Sequence, residues 1–290
     1  MPEHTLGESR FVTLSDGRKL HYRSRGKGGP TVILESGMGF SGAVYGLILP
    51  EIAKQVRVVA YDRAGIGKSD RDDADRDIDR ITDDLEQLLQ QFEGPLILVG
   101  YSWGGAIVRR AAARQSADVR GIILLDQTDE RNPEYFTYLK QQSTVIAKVF
   151  SMWFMHVIGL RFTAWRVLKD FPADCRREIL WRDIAFKGIR NASAELKQIV
   201  PGLEALKEED DLLDGIPAVV VSGTDPDLMG RDHRPPMVEA HIETAEALDE
   251  GKLVKARRSA HFTPLTQPKL VIREITTMIK KVREEESTRS

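Results

Sequence analysis

The sequence predicts an α/β protein, built on a mostly parallel, doubly wound sheet with an inserted helical segment. Three observations carry that expectation. Short runs rich in Val, Ile and Leu alternate with segments of helical period, as strands joined by crossover helices do. Several runs are unbroken rather than alternating, which suits strands covered on both faces. From Asp129 to Gly215 the alternation stops and helical character takes over. Residues 1–128 and 216–290 are therefore expected to form one core, with 129–215 inserted into it.

The elements follow in order. Phe11 to Leu14 and Leu20 to Tyr22 read as two strands joined through Ser15-Asp16-Gly17, since Asp-Gly is a hairpin signal. Thr31 to Leu34 is an apolar strand that opens into a glycine-rich loop, Glu35-Ser36-Gly37-Met38-Gly39-Phe40-Ser41-Gly42. A helix from Val44 to Lys54 and a strand from Val56 to Tyr61 come next, then a second glycine loop, Asp62 to Ser69. Ile81, Leu85, Leu88, Leu89 and Phe92 keep helical spacing. Gly121 to Leu125, Ala218 to Val221 and Leu253-Val254 are the later strands, and a helix from Lys269 to Val282 closes the chain.

Composition narrows the function classes. The net charge of -2 arises from 42 basic and 44 acidic residues spread along the chain, with no basic stripe to hold nucleic acid. One cysteine, Cys175, excludes an internal disulfide framework and Cys-x-x-Cys metal spacing. Met1-Pro2-Glu3-His4 opens no apolar export segment, so a cytoplasmic protein is expected.

The chemistry centres on Gly100-Tyr101-Ser102-Trp103-Gly104, between the apolar run Ile97 to Val99 and a helix-compatible segment from Ala106 to Arg114. This is the G-x-S-x-G pattern of a nucleophile elbow. A serine on so sharp a turn has strained backbone, and neighbours two positions away must lack bulk. The turn also sets the hydroxyl at a helix N-terminus, where backbone N–H groups favour developing negative charge. A glycine-rich turn around an ordinary serine is the plainer alternative, and the strand-to-helix context argues against it.

With this elbow, the Asp62-Arg63-Ala64-Gly65-Ile66-Gly67-Lys68-Ser69 loop, and Ser36-Gly37-Met38-Gly39 where many relatives carry His-Gly, the sequence resembles the α/β-hydrolase family over most of residues 10–127 and 216–282. Gly67-Lys68-Ser69 also resembles the end of a P-loop. The glycine a P-loop needs five residues earlier is Asp62, a carboxylate that would repel phosphate, so that reading fails.

The resemblance implies a serine nucleophile, Ser102, with a histidine base and an orienting acid. Six histidines compete. His4 and His21 precede the elbow, His156 lies in an apolar helical stretch, and His233 and His241 follow the Ala218 strand. His261, in the loop before the last helix, stands where the family places its base. The family position for the acid, after the Ala218 strand, favours Asp225, although Pro226 occupies the usual offset; Asp126 and Asp227 remain open. Backbone amides of Met38 and Trp103 would form the oxyanion hole. The insertion would be a cap whose aromatics, Trp153, Phe154, Phe162 and Trp165, line an apolar pocket. Lys148, His156, Arg161 and Arg166 interrupt that stretch and argue against stable membrane insertion.

The activity implied is hydrolysis of a carboxylic ester of a small apolar substrate through an acyl-enzyme, with no cofactor and no metal. A cofactor-free perhydrolase or haloperoxidase-like enzyme, and a ligand-sensing signalling protein, are the alternatives.

Overall fold

The computed structural model describes residues 3–134, 136–137, 140–141, 157–207, 213, 215–226 and 234–289. Eight strands form one sheet: β1 (Glu8–Thr13), β2 (Lys19–Arg25), β3 (Thr31–Glu35), β4 (Val58–Tyr61), β5 (Leu96–Tyr101), β6 (Val119–Leu125), β7 (Ala218–Gly223) and β8 (Gly251–Ala256). Their spatial order is β1-β2-β4-β3-β5-β6-β7-β8. β2 is antiparallel to both its neighbours, and β4 through β8 run parallel, in registers such as Leu34 opposite Val99 and Val99 opposite Ile123.

The unbroken apolar runs fill two cores. Ile33, Leu96 and Leu98 point to the side covered by helices α2 (Ile78–Leu89) and α3 (Trp103–Ala113). Val32, Leu34, Ile97 and Val99 point to the side covered by the short α1 (Leu49–Ile52) and the C-terminal helix Pro268–Arg289, through Ile52, Ile275 and Ile279. Period-two side-chain alternation thus buries both faces of the central strands.

The helix expected from Val44 to Lys54 is broken into a 3-10 turn, Gly42–Tyr45, and the single turn of α1. Pro50 stands in the first turn of α1, where its missing N–H costs nothing; farther inside a continuous helix it would remove a hydrogen bond. The last helix runs seven residues beyond the expected end, to Arg289.

Among the described residues between β6 and β7 the regular structure is helical: α4 (Val157–Val167), α5 (Ala173–Glu178), a π-helical turn (Ile179–Asp183), α6 (Phe186–Lys197) and α7 (Ile199–Leu206). Helices α8 (Arg234–Ala247), α9 (Thr263–Thr266) and α10 (Pro268–Arg289) complete the chain. The insertion is tied to the core by polar contacts. Ser41 donates from N and Oγ to Asp183 Oδ2, at 3.0 and 2.8 Å, and Lys187 Nζ donates to the Ser69 carbonyl at 3.0 Å.

Candidate active site

Ser102 follows β5 with φ 54° and ψ -123°, a conformation costly for any residue with a Cβ. Neighbouring strands hold it there. Ser102 N donates to the Leu125 carbonyl at 3.0 Å, and its own carbonyl accepts from Gly105 N at 2.9 Å and Thr128 N at 3.1 Å. The flanking glycines have steric causes. A Cβ on Gly100 would stand 2.4 Å from the Gly104 carbonyl oxygen, and one on Gly104 would stand 2.6 Å from that of Ser36. The Trp103 ring turns away from the hydroxyl, into the core beneath Gly202 of α7, so only its backbone faces the site.

His261 lies in the loop between β8 and α9. Its Nε2 is 2.9 Å from Ser102 Oγ, and its Nδ1 is 2.8 Å from Asp126 Oδ2. Asp126 immediately follows β6 with φ 44°, which turns its carboxylate under the histidine. The residue is fully buried. Oδ1 accepts from Gly223 N at 2.7 Å, and Arg234 Nη1 lies 3.0 Å from both oxygens. Burial alone would raise its pKa; the His261 hydrogen bond and the nearby charges of His261, His241 and Arg234 outweigh that and hold it below the ordinary carboxylate value. An ionised Asp126 only accepts, which assigns the proton to His261 Nδ1 and leaves Nε2 able to accept from Ser102.

The preference for Asp225 as the partner of His261 is corrected by this geometry. The Asp225 side chain is exposed; its backbone N donates to the Ser259 carbonyl at 2.9 Å, and its carboxylate meets Thr224 Oγ1 at 3.5 Å. The β7 loop does run beside the histidine loop, since a Cβ on Gly223 would stand 2.3 Å from the Ala260 carbonyl oxygen. What it presents there is Gly223 N, bound to Asp126, and not a carboxylate. Asp227 and His233 lie outside the described residues, as does His156. His21 is held by Asp62 and Ser9, and His241 by Ser222 Oγ and the Gln127 carbonyl, each at 2.8 Å; neither meets Ser102.

The loop after β3 packs against the serine, where a Cβ on Gly37 would come within 3.2 Å of Ser102 Cβ. Its carbonyls are gripped from the opposite side. Tyr45 Oη donates to the Glu35 carbonyl at 2.6 Å, and Arg63 donates to those of Ser36 at 2.5 Å and Gly37 at 2.9 Å. In a trans peptide the N–H points opposite to the C=O. Holding the Gly37 carbonyl therefore turns the Met38 N–H away from Arg63, and that amide donates to no backbone carbonyl among the described residues. The Trp103 N–H is the first of α3 and lacks an intrahelical acceptor. Arg63 is itself clamped between two buried carboxylates, Glu35 and Glu195, the latter on α6 at 2.9 Å. Burial pushes the Glu35 carboxyl up to about 7 against the pull of Arg63.

This ion triad is the part of the site that sequence reasoning missed. The available signal was the pair of charged residues, Glu35 immediately after one predicted buried strand and Arg63 two residues after another.

Helix α6 roofs both glycine loops. A Cβ on Gly39 would stand 3.0 Å from Ala192 Cβ, and one on Gly65 would stand 2.3 Å from Asn191 Oδ1. Beside these three residues Tyr101 lies 5.3 Å from His261, ring to ring, and Phe40 meets Phe262 edge-on at 6.3 Å. Of the four aromatics expected to line a pocket, Phe162 and Trp165 are 62% and 52% exposed. Trp153 and Phe154 lie outside the described residues.

Among the described residues one group has metal-ligand types in reach, His4, Asp174 and Cys175. Burial raises the Cys175 thiol far above its ordinary pKa, and Asp174 is occupied by Thr5, so the donor set is poor for a cation. No helix of the described residues is long and apolar enough to cross a membrane.

Known proteins resemble the chain in sequence and in shape. The uncharacterized protein YbdG of Bacillus subtilis (strain 168) is 28% identical over 191 residues, 62% of this chain and 58% of YbdG. A proline iminopeptidase of Saccharolobus solfataricus is 33% identical over 123 residues, 41% of this chain and 39% of that protein. The chain spans about half the length of the curated relatives it matches. A thermophilic esterase from Thermogutta terrifontis superposes with a TM-score of 0.71 at 18% identity, over 95% of this chain and 99% of the esterase, a likeness of fold. A model of the alpha/beta hydrolase family matches residues 32–274, and the chain belongs to that family of enzymes.

Proposed function

We propose that the chain is a serine hydrolase that cleaves a carboxylic ester of a small apolar substrate through an acyl-enzyme, with Ser102 as nucleophile, His261 as base and Asp126 as orienting acid. The observation that carries this reading is the continuous relay from Ser102 Oγ through His261, at 2.9 and 2.8 Å, to a buried, ionised Asp126. His261 Nε2 takes the Ser102 proton as Oγ attacks the carbonyl carbon. The oxyanion then rests on the Met38 and Trp103 amides, donors worth roughly 3–4 kcal/mol each in comparable sites. The imidazolium, stabilised by Asp126, passes its proton to the departing alcohol. Water, deprotonated by His261, releases the acid and restores Ser102.

The helical insertion, residues 129–215, would act as a cap on the core of 1–128 and 216–290. Contacts of α6 with Gly39, Gly65 and Arg63 support that role. Phe40, Tyr101 and Phe262 beside His261 favour an apolar acyl or alcohol group, and the named esterase among the structural neighbours supports an ester.

A fluorophosphonate probe should label the native protein at Ser102 and leave Ser102→Ala unlabelled. A series of p-nitrophenyl esters, short to long, should be turned over by the native protein alone. Undiminished labelling or turnover in Ser102→Ala would overturn the proposal.

A further inference from the structure

A second cleft lies where the helical insertion meets the edge of the core, lined by residues outside the triad. Its volume is about 570 Å³. Arg23 of β2 and Lys68 of the second glycine loop line it from the core, and Arg177, Trp181 and Arg182 from the insertion. Four cationic side chains thus face one cavity in a chain of net charge -2. The one carboxylate in the lining, Glu178, is already engaged by Arg23 at 3.0 Å and lies 3.7 Å from His4. Lys68, Arg177 and Arg182 form no salt bridge among the described residues. The Arg23 side chain is only 8% exposed, yet its buried Nε lacks a hydrogen-bond partner, as does the buried Nε2 of His4.

Like charges gathered in this way repel one another and destabilise the apo state. Partial burial, followed by the charges of Arg23 and Arg182, depresses the Lys68 ammonium below its ordinary pKa in spite of Glu178. The backbone around Lys68 is not what attracts an anion. Its N–H and that of Gly42 are bound to the Asp62 carboxylate, at 3.0 and 3.1 Å. The side chains make the site. Trp181 is 63% exposed on the same wall, and the Arg161 guanidinium lies over its ring at 4.4 Å.

We propose that this cleft is a binding site for the phosphate or diphosphate group of a small ligand, held by Arg23, Lys68, Arg177 and Arg182. A bound diphosphate neutralises charges from both the core and the insertion, so the ligand also bridges them. Trp181 offers a stacking face to any planar ring the phosphate carries.

The test is calorimetric titration of the full chain with pyrophosphate and, separately, with ADP. One-to-one binding with a Kd below about 1 mM is expected, weakening as salt shortens the Debye length. Lys68→Ala and Arg182→Ala, whose side chains reach solvent, should each weaken both anions at least about fivefold, while Ser102→Ala binds unchanged. Tighter binding of ADP, lost in Trp181→Ala, assigns the phosphate to a ring-bearing ligand; equal binding assigns it to phosphate alone, and both outcomes support the site. Absence of saturable binding by either anion, or binding undiminished in the Lys68→Ala, Arg182→Ala double variant, would overturn it.

Discussion

The choice of Asp126 as the proposed acid turns on one backbone torsion. Asp126 has φ 44°, and that turn carries its carboxylate beneath His261, where Gly223 N and Arg234 fix the remaining lone pairs. Asp225 stands only a few residues beyond Gly223, yet its carboxylate faces solvent. Asp126→Asn keeps the volume but lets the amide donate, which stabilises the wrong histidine tautomer. Turnover should fall roughly 10²–10⁴-fold, whereas Asp225→Asn should cost less than about tenfold. Steady-state kinetics on a p-nitrophenyl ester measures both, and the reverse ranking would remove Asp126 from the relay.

At the scale of elements, the site is assembled by loops from the carboxyl ends of β3, β5, β6 and β8, the edge where parallel sheets place their ligands. Arg63, after β4, ties one of these loops to α6 through Glu195. Its planar fork holds two carbonyls and two carboxylates at once, a geometry a lysine ammonium cannot reproduce. Arg63→Lys should therefore let the Met38 amide drift. We expect kcat to drop roughly 10–100-fold with KM changed less than about threefold, as small misplacements at a reacting centre do. A rise in KM at intact kcat would instead place Arg63 in ground-state binding, and a thermal melt distinguishes both from unfolding.

For the whole molecule, the buried Glu35–Arg63–Glu195 cluster links stability to pH. The Glu35 carboxyl is pushed up to about 7 by burial, above its ordinary 4.5. The folded state therefore binds more protons than the unfolded state between those values, and stability from this group declines as pH rises through the window. Glu35→Gln removes the titration. The Tm of the native chain minus that of Glu35→Gln should be largest near pH 5 and should shrink toward pH 7.5. A constant or widening difference would mean that Arg63 keeps Glu35 ionised throughout.

Sequence alone determined the α/β class and the sheet with its helical insertion, because strand and helix periods are local properties written into neighbouring residues. It also singled out Ser102 and His261, since a glycine-flanked serine at a strand end and a histidine before the last helix are local signals too. Tertiary structure decided the rest. Asp126 and Asp225 both lie in loops just after parallel strands that run side by side, and their spacing in the chain does not say which carboxylate turns inward. The Arg63 clamp joins residues 35, 63 and 195, and the cationic cleft joins residues 23, 68 and 182. Such clusters exist only once folding has removed the separation along the chain, and no period or motif of one segment encodes them.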